Sequence, residues 1–376
     1  MVQGNKRSYS TSLLITARMK HDIFNLTCML KKSYNTSANS HFAEVPPPFP
    51  QQAGARPSLI PTTDLKPELH EIALQAEQYL FNHRAASTES VYGQDWLGFQ
   101  KWCSSHGLSS FPSDVRTIAL YITWMAKNGR VVSTIKRHLA AIKARHDDAG
   151  FPTPTHSAII KGIMQGISRR HGKPPRGADA LLPETLNRLI EKIDQTTLIG
   201  KRDHALLLIG FYGALRRSEL VGLSINDIRW CNEGVILLLH HSKTDQCGKG
   251  MLVGIPRGKR PETCPVIALE TWLVEAGIKE GAVFRGMDCH DRIVSKRLSG
   301  RAVPMIIKCY AKAAGLDSAH LSGHSLRSGH CTSAARAGVP HNIIMKQTRH
   351  ASLQTMLKYV ELGKLFMENS ASAISL

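Results

Sequence analysis

Six polar side chains in the second half of the chain are of the types that bind and attack a phosphodiester. They comprise two arginines, a lysine, two histidines and a tyrosine: Arg216, Lys243, His324, Arg327, His350 and Tyr359. Planar guanidinium groups donate paired hydrogen bonds to phosphate oxygens. Histidine and lysine act as general acids or bases, and a tyrosine hydroxyl can act as a nucleophile. The set predicts attack on a phosphodiester through a covalent intermediate.

The first arginine follows an apolar run over residues 205–215 and has an acid three positions later. A charge at the end of a buried segment needs a partner, and Glu219 is placed to pair with Arg216. This predicts a supporting role for Glu219 behind Arg216. A purely structural arginine–glutamate pair is the alternative, and Arg217 is the neighbouring rival, expected to be more exposed.

The spacing of the other residues constrains the elements that carry them. His324 and Arg327 are three apart, which places them on one face of a helix. His350 and Tyr359 are nine apart, so an unbroken helix would direct them to opposite faces, and the chain must bend between them. Ser352 can cap a short helix over 353–358 that supplies the bend. Lys243 ends a hairpin strand, and its rival is Lys249 in the same turn.

Apolar periodicity predicts a mainly helical chain with one small antiparallel hairpin, an α+β class. An aromatic stripe, Trp96, Phe99 and Trp102, is interpreted as core. The expected helices cover 69–80, 90–102, 115–124, 133–146 with an N-cap at Ser133–Thr134, 201–213, 265–276, 299–314 and 326–337, and the expected strands cover 235–241 and 251–256.

Composition divides the chain into three regions. Residues 1–62 are basic and end in a Pro-rich run, so we expect a poorly ordered extension. Residues 63–172 are expected to form a helical domain and residues 173–376 a second domain. The longest apolar run is too short to span a bilayer, which predicts a soluble protein without a membrane partner, and the expected location is the cytoplasm. The eight cysteines form no CxxC pair and are expected to be free thiols.

The charge balance favours a polyanionic partner. The formal net charge is +19, with 48 Lys and Arg against 29 Asp and Glu. Basic residues cluster between 131 and 176, and the cluster predicts DNA-binding positions, although a solvated basic surface is the alternative. The candidates are Lys136, Arg137, Lys143, Arg145, Arg169, Arg170, Lys173 and Arg176.

The order of these motifs resembles the tyrosine recombinase (phage integrase) family. The resemblance rests on GALRRSEL, SKTD, HSLRSGHCTSAARAGVP, and RHASLQTMLKYVELGKLF, and it covers roughly residues 63–376. It implies a helical, SAM-like core-binding domain and a catalytic domain that together form a C-shaped clamp on DNA. The implied partners are a double-stranded recombination site, a homotetramer on two duplexes and accessory DNA-bending proteins. The implied location is the nucleoid.

The resemblance also implies a role for each residue. Tyr359 would form a 3′-phosphotyrosyl link, and Arg216 and Arg327 would bind the phosphate together with His350. Lys243 would protonate the leaving 5′ oxygen, and His324 would take the tyrosine proton. No metal or nucleotide cofactor is implied. The alternatives are a type IB topoisomerase, or a DNA-binding protein of this fold that does not cleave.

One position departs from the family pattern. The family usually has glycine before the second histidine, and this chain has Arg349. If the turn requires a positive φ, an arginine is strained there. Beyond the tyrosine, the apolar residues of 362–367 predict a tail that docks on a neighbouring protomer or on its own domain.

Overall fold

The computed structural model describes residues 65–81, 83–173, 177–240, 250–288 and 290–350, together with 352–354, 356, 357, 359 and 374. These residues form two compact units, one ending at 175 and the other beginning at 176. None of the helices in the described ranges combines the length and apolar character needed to cross a bilayer. The predicted tail over 362–367 lies outside the described residues.

The first unit is entirely helical in its described part. Its helices are α1 Pro67–Phe81, α2 Ala86–Ser105, α3 Val115–Lys127, α4 Val132–Asp148 and α5 Ala158–His171, with a 3₁₀ turn at Pro154–His156. Helix α2 packs on α4, and α3 packs on α5. Trp96, Phe99 and Trp102 are buried in the core between them, which confirms the interpretation of the aromatic stripe.

Two of the four helices in this unit whose N-cap residue is described begin with a side-chain cap. The Asp114 carboxylate accepts a hydrogen bond from the Thr117 amide at the start of α3, and the Ser157 hydroxyl does the same at α5. Helix α4 begins at Val132 with no side-chain cap, so the predicted cap at Ser133–Thr134 was wrong.

The second unit combines helices with two small antiparallel sheets. Its helices are α6 Pro183–Ile190, α7 Leu198–Tyr212, α8 Arg217–Gly222, α9 Pro265–Glu275, α10 Ala302–Ala313, α11 Ser325–Arg336 and α12 His341–Thr348. Its strands are β1 Ile228–Cys231, β2 Gly234–Leu239, β3 Met251–Pro256, β4 Arg285–Met287 and β5 Ile293–Arg297. The mainly helical class with a small antiparallel sheet is confirmed.

The sheets extend the hairpin that the sequence predicts. Strands β2 and β3 pair with Leu239 opposite Met251, and β1 adds to the other edge of β2. Strands β4 and β5 form a separate hairpin that the sequence patterns did not predict. The described cysteines, Cys103, Cys231, Cys264, Cys309 and Cys331, are free, as expected.

Two glycines allow α11 to approach its neighbours closely. A Cβ on Gly210 of α7 would lie 2.8 Å from Leu326 Cδ1 of α11. A Cβ on Gly329 of α11 would lie 2.0 Å from the Leu181 carbonyl oxygen, a backbone atom that cannot rotate away. The position of α11, and of Arg327 on it, therefore depends on the absence of a side chain at 329.

Replacing Gly329 by alanine is expected to destabilise the protein. The added methyl must displace the backbone at Leu181, and overpacking of this kind costs about 3 kcal/mol. The measurement is the urea midpoint of the full chain followed by circular dichroism. Gly222→Ala is the control, because a Cβ there meets nothing within 4 Å. Equal midpoints for the two variants would contradict the close approach.

Candidate active site

The first arginine and its acid form a pair at the start of α8. The Arg216 amide donates to Glu219 Oε2 at 2.8 Å, and Arg216 Nη1 donates to Glu219 Oε1 at 2.6 Å. The Glu219 side chain is 1% exposed and that of Arg216 is 18% exposed. The carboxylate therefore holds the guanidinium from the protein side, while Arg217 lies exposed beside it.

Arg327 lies on α11 and is almost fully buried, at 1% exposure. Its Nη1 donates to the Ala214 carbonyl at 2.8 Å. Its Nε and Nη2 have no hydrogen-bond partner among the described residues. Burial and the guanidinium groups of Arg216 and Arg349 lower the pKa of Arg327 to about 10, so it remains charged at neutral pH. The side chain thus retains donors for an anion.

His324 and Tyr359 are in direct contact. His324 precedes α11 by one residue, and its Nε2 lies 2.7 Å from the Tyr359 hydroxyl oxygen. Partial burial of the imidazole and the charges of Arg327 and Arg216 lower the pKa of His324. Burial raises the pKa of Tyr359. A neutral imidazole next to a protonated phenol is the arrangement that a general base needs.

His350 completes this side of the cluster. Its Nδ1 lies 2.7 Å from the Thr348 hydroxyl, and its ring centroid is 5.8 Å from that of Tyr359. Burial and the nearby positive charges of Arg327 and Arg216 lower the pKa of His350 to about 4. The contact with Thr348 orients the imidazole toward the tyrosine.

The chain turns at Arg349, directly before His350, and a new helical segment begins at Leu353, between His350 and Tyr359. This residue ends α12 in the left-handed conformation, with φ 57° and ψ 42°. Leu353, Gln354, Met356, Leu357 and Tyr359 then have helical backbone, and the Met356 amide donates to the Ser352 carbonyl. His350 lies before the helical segment that carries Tyr359, so the two residues do not share one unbroken helix, and their ring centroids lie 5.8 Å apart.

Sequence reasoning treated Arg349 only as a source of strain and missed its side chain. That side chain is buried, and Nη2 donates to Glu219 Oε2 at 2.8 Å. A signal was available in the sequence: an arginine at a position that favours glycine needs a compensating contact, and Glu219 has a second oxygen to offer.

The predicted lysine lies outside the described residues, as does its rival Lys249. The strands that flank the segment are described, and they end at the Leu239–Met251 pair. Next to this pair, His240 Nε2 lies 2.7 Å from Asp227 Oδ1, which anchors the end of β2.

The predicted DNA-binding positions divide into two groups. Lys136, Arg169, Arg170 and Lys173 are exposed. Three others form ion pairs: Arg137 with Asp95 at 2.6 Å, Lys143 with Asp147, and Arg145 with Glu89 at 2.8 Å. Arg176 lies outside the described residues. The Arg145 side chain is only 5% exposed. A buried, paired guanidinium is not placed to contact DNA, so the expectation for Arg145 is not supported.

The chain is also similar in sequence to known proteins. The model of the phage integrase family matches residues 180–364. The integrase/recombinase XerD homolog of Selenomonas ruminantium is 37% identical over 302 residues, covering 80% of this chain and 88% of the relative. Tyrosine recombinase XerD of Neisseria meningitidis serogroup B is 26% identical over 218 residues, covering 55% of this chain and 68% of the relative.

Solved structures share the fold. XerH site-specific recombinase bound to a palindromic difH substrate has a TM-score of 0.56 at 18% identity, covering 80% of this chain and 84% of that one. The Tn1549 transposon integrase in complex with circular intermediate DNA has a TM-score of 0.52 at 13% identity, covering 80% and 96%. With the relative from Selenomonas aligned over most of both chains, the protein belongs to the phage integrase family of tyrosine recombinases.

Proposed function

We propose that this tyrosine recombinase cleaves and rejoins DNA at a specific site with Tyr359 as the nucleophile. The observation that carries the proposal is the 2.7 Å contact between the Tyr359 hydroxyl and His324 Nε2. Arg327 lies one helical turn after His324, so the tyrosine, its base and a phosphate-binding group converge. The relatives named recombinases and integrases support the same reaction.

In the proposed cleavage step, the Tyr359 oxygen attacks phosphorus while its proton passes to His324. A phosphorus–oxygen bond to the tyrosine forms, and the bond to the 5′ oxygen breaks. Lys243 protonates the departing oxygen, leaving a 3′-phosphotyrosyl link and a 5′-hydroxyl. Resealing reverses each transfer. The ester conserves the energy of the broken bond, so the reaction as proposed consumes no nucleotide and requires no metal.

Arg216 and Arg327 are proposed to bind the non-bridging oxygens. Negative charge grows on these oxygens in the transition state, and preorganised donors stabilise it without reorganisation. Loss of one such donor typically costs a factor of about 10²–10³ in rate. Glu219 holds Arg216, and the Ala214 carbonyl holds Arg327. His350 lies beside the tyrosine and is proposed to contact the same phosphate.

The proposed partner is a double-stranded recombination site in the nucleoid. The structural neighbours are named as complexes with DNA, including a lambda integrase dimer bound to a core site. We propose that four protomers assemble on two duplexes, with accessory DNA-bending proteins where the site requires them. In the first unit, the exposed Lys136, Arg169, Arg170 and Lys173 are proposed to contact phosphates.

Replacement of Tyr359 by phenylalanine is expected to abolish the covalent adduct. The probe is a set of nicked duplexes that tile the DNA flanking the gene, and the adduct is detected as a denaturation-resistant protein–DNA band. Tyr212→Phe, in the same unit, is the control and should form the adduct. A band from Tyr359→Phe would refute the nucleophile assignment. Adducts on DNA of any sequence, with plasmid relaxation, would indicate a topoisomerase instead.

His324 and His350 are expected to stay neutral at a lower pH than an ordinary histidine does. Titration of the DNA-free protein by histidine NMR should place the midpoints of His324 and His350 below about 6.5, with His350 near about 4. Variants His324→Gln and His350→Gln assign the signals. The unfolded chain takes up these protons at a higher pH than the folded chain. The free energy of unfolding should therefore fall as the pH drops from about 6.5 toward 4. Midpoints at or above 6.5 would contradict the described burial and charge.

Removing the exposed charges of the first unit is expected to weaken DNA binding in a salt-dependent way. In a variant with Lys136, Arg169, Arg170 and Lys173 replaced by alanine, the slope of log affinity against log salt should decrease by about 0.9 for each phosphate that the protein no longer neutralises. Fluorescence anisotropy of a labelled duplex measures the slope. A Lys101→Ala, Lys127→Ala double variant, from exposed positions of the same unit, is the control. An unchanged slope would remove these residues from the interface.

A further inference from the structure

Arg349 has an unfavourable backbone conformation for a residue with a side chain. Its φ of 57° is one of three positive values among the described non-glycine residues, the others being at Ala214 and Asp291. Helices commonly end with glycine in this conformation, because glycine has no Cβ to collide with the carbonyl. A strained residue persists where its surroundings compensate for it, so the contacts of the Arg349 side chain require an explanation.

The side chain donates four hydrogen bonds inside the protein. Nη1 donates to the carbonyls of Gln347 at 2.6 Å and Gly213 at 3.3 Å. Nη2 donates to the Ala214 carbonyl at 3.0 Å and to Glu219 Oε2 at 2.8 Å. The side chain is 1% exposed. The guanidinium is thus enclosed, and its terminal nitrogens are fully occupied.

Two of the three long-range partners of Arg349, the Ala214 carbonyl and Glu219, also contact a residue proposed to bind the phosphate. The Ala214 carbonyl accepts from Arg327 Nη1 as well as from Arg349. Glu219 Oε2 accepts from the Arg216 amide as well as from Arg349. The backbone of Arg349 forms the turn that leads directly into His350. One guanidinium therefore connects three separate parts of the chain that bear on the phosphate.

We infer that Arg349 is a positioning residue for strand transfer, which fixes Arg216, Arg327 and His350 relative to one another without touching DNA. The inference rests on the proposed function and adds to it a residue that replaces the usual glycine. A glycine would relieve the backbone but would supply none of the four hydrogen bonds. In this chain the backbone is strained at one turn, and the Arg349 side chain rigidly connects the surrounding segments.

The electrostatics agree with this role. Burial disfavours the Glu219 carboxylate, but the charge of Arg349 and the hydrogen bonds and charge of Arg216 outweigh it and lower the pKa of Glu219. The charged groups around Glu219 are Arg216 directly before α8, Arg327 on α11 and Arg349, and the Cys331 thiol lies near the last two. Without Arg349, the pKa of Glu219 should rise. The carboxylate should then become protonated, and its hydrogen bonds with Arg216 should weaken, at a higher pH than in the native protein.

The test measures single-turnover adduct formation and DNA affinity for Arg349→Gly on the nicked duplex that the native protein cleaves. The variant should form the adduct about 100-fold more slowly, the cost of a misplacement of about 1 Å in a preorganised site. Its affinity for the duplex should change by less than about twofold, because the guanidinium does not touch DNA. Arg349→Lys retains the charge but not the fork and should be intermediate in rate.

The pH profile separates positioning from a purely structural role. The acid-side loss of rate should move to higher pH in Arg349→Gly than in the native protein, and adding Glu219→Gln should reduce that shift to the part that comes from His350, whose pKa Arg349 also lowers. Arg202→Lys is the matched control, since Arg202 is also buried and pairs with Asp203 in the same unit. It should lower the thermal midpoint without changing the rate. If Arg349→Gly does not fold, the same pH profiles are compared for Arg349→Lys with and without Glu219→Gln.

Two results would overturn the inference. A rate equal to that of the native protein, with only a lower thermal midpoint, would make Arg349 a structural residue. A loss of affinity with a smaller salt slope would make it a phosphate ligand. Failure of the native protein to form any adduct would instead count against the proposed function, so the two failures are distinguishable.

Discussion

The site depends on one buried carboxylate. Glu219 accepts hydrogen bonds from Arg216 and Arg349, and Arg327 lies close enough to interact electrostatically with its carboxylate. Three guanidinium groups against one carboxylate leave an excess of positive charge in a region of low exposure, where a charge is costly unless it is paired. The negative charge of Glu219 lowers the cost of burying the three guanidinium groups, while the remaining positive charge favours an anion at the same place. The stability of the cluster and its attraction for an anion therefore have the same origin.

Backbone strain is concentrated around this carboxylate. Ala214 and Arg349 both have left-handed φ values, and the Ala214 carbonyl accepts from Arg327 and from Arg349. The two strained residues thus lie at the two ends of one hydrogen bond. Strain of this kind persists only where the surroundings over-determine the conformation. The consequence is a set of donors whose positions are fixed before any ligand arrives, which is the condition for electrostatic stabilisation of a transition state.

Much of this arrangement could be predicted from local spacing, and the rest depended on distant contacts. The Arg216–Glu219 pair follows from a three-residue separation, and the apolar periodicity predicts the main helices and the β2–β3 hairpin. Strand β4 has three half-buried residues and β5 is largely exposed, so neither carries an apolar alternation that would reveal it. The pairing of Arg145 with Glu89 joins positions 56 apart, and that of Arg349 with Glu219 joins positions 130 apart. No periodicity reports such contacts.

Tyr359, the proposed nucleophile, is supported by a different part of the structure from the arginines. Leu220, Leu215 and Leu326, next to the arginines and Glu219, belong to the large core of the second unit. Tyr359 packs instead against a small cluster of Cys331, Ala335, Ile344 and Met356. Local opening costs less where fewer apolar groups are buried. The arginines proposed to bind phosphate should therefore keep their places, while the tyrosine is the part that can move. This division suits a reaction in which the phosphate stays bound and the attacking oxygen must approach, leave and return.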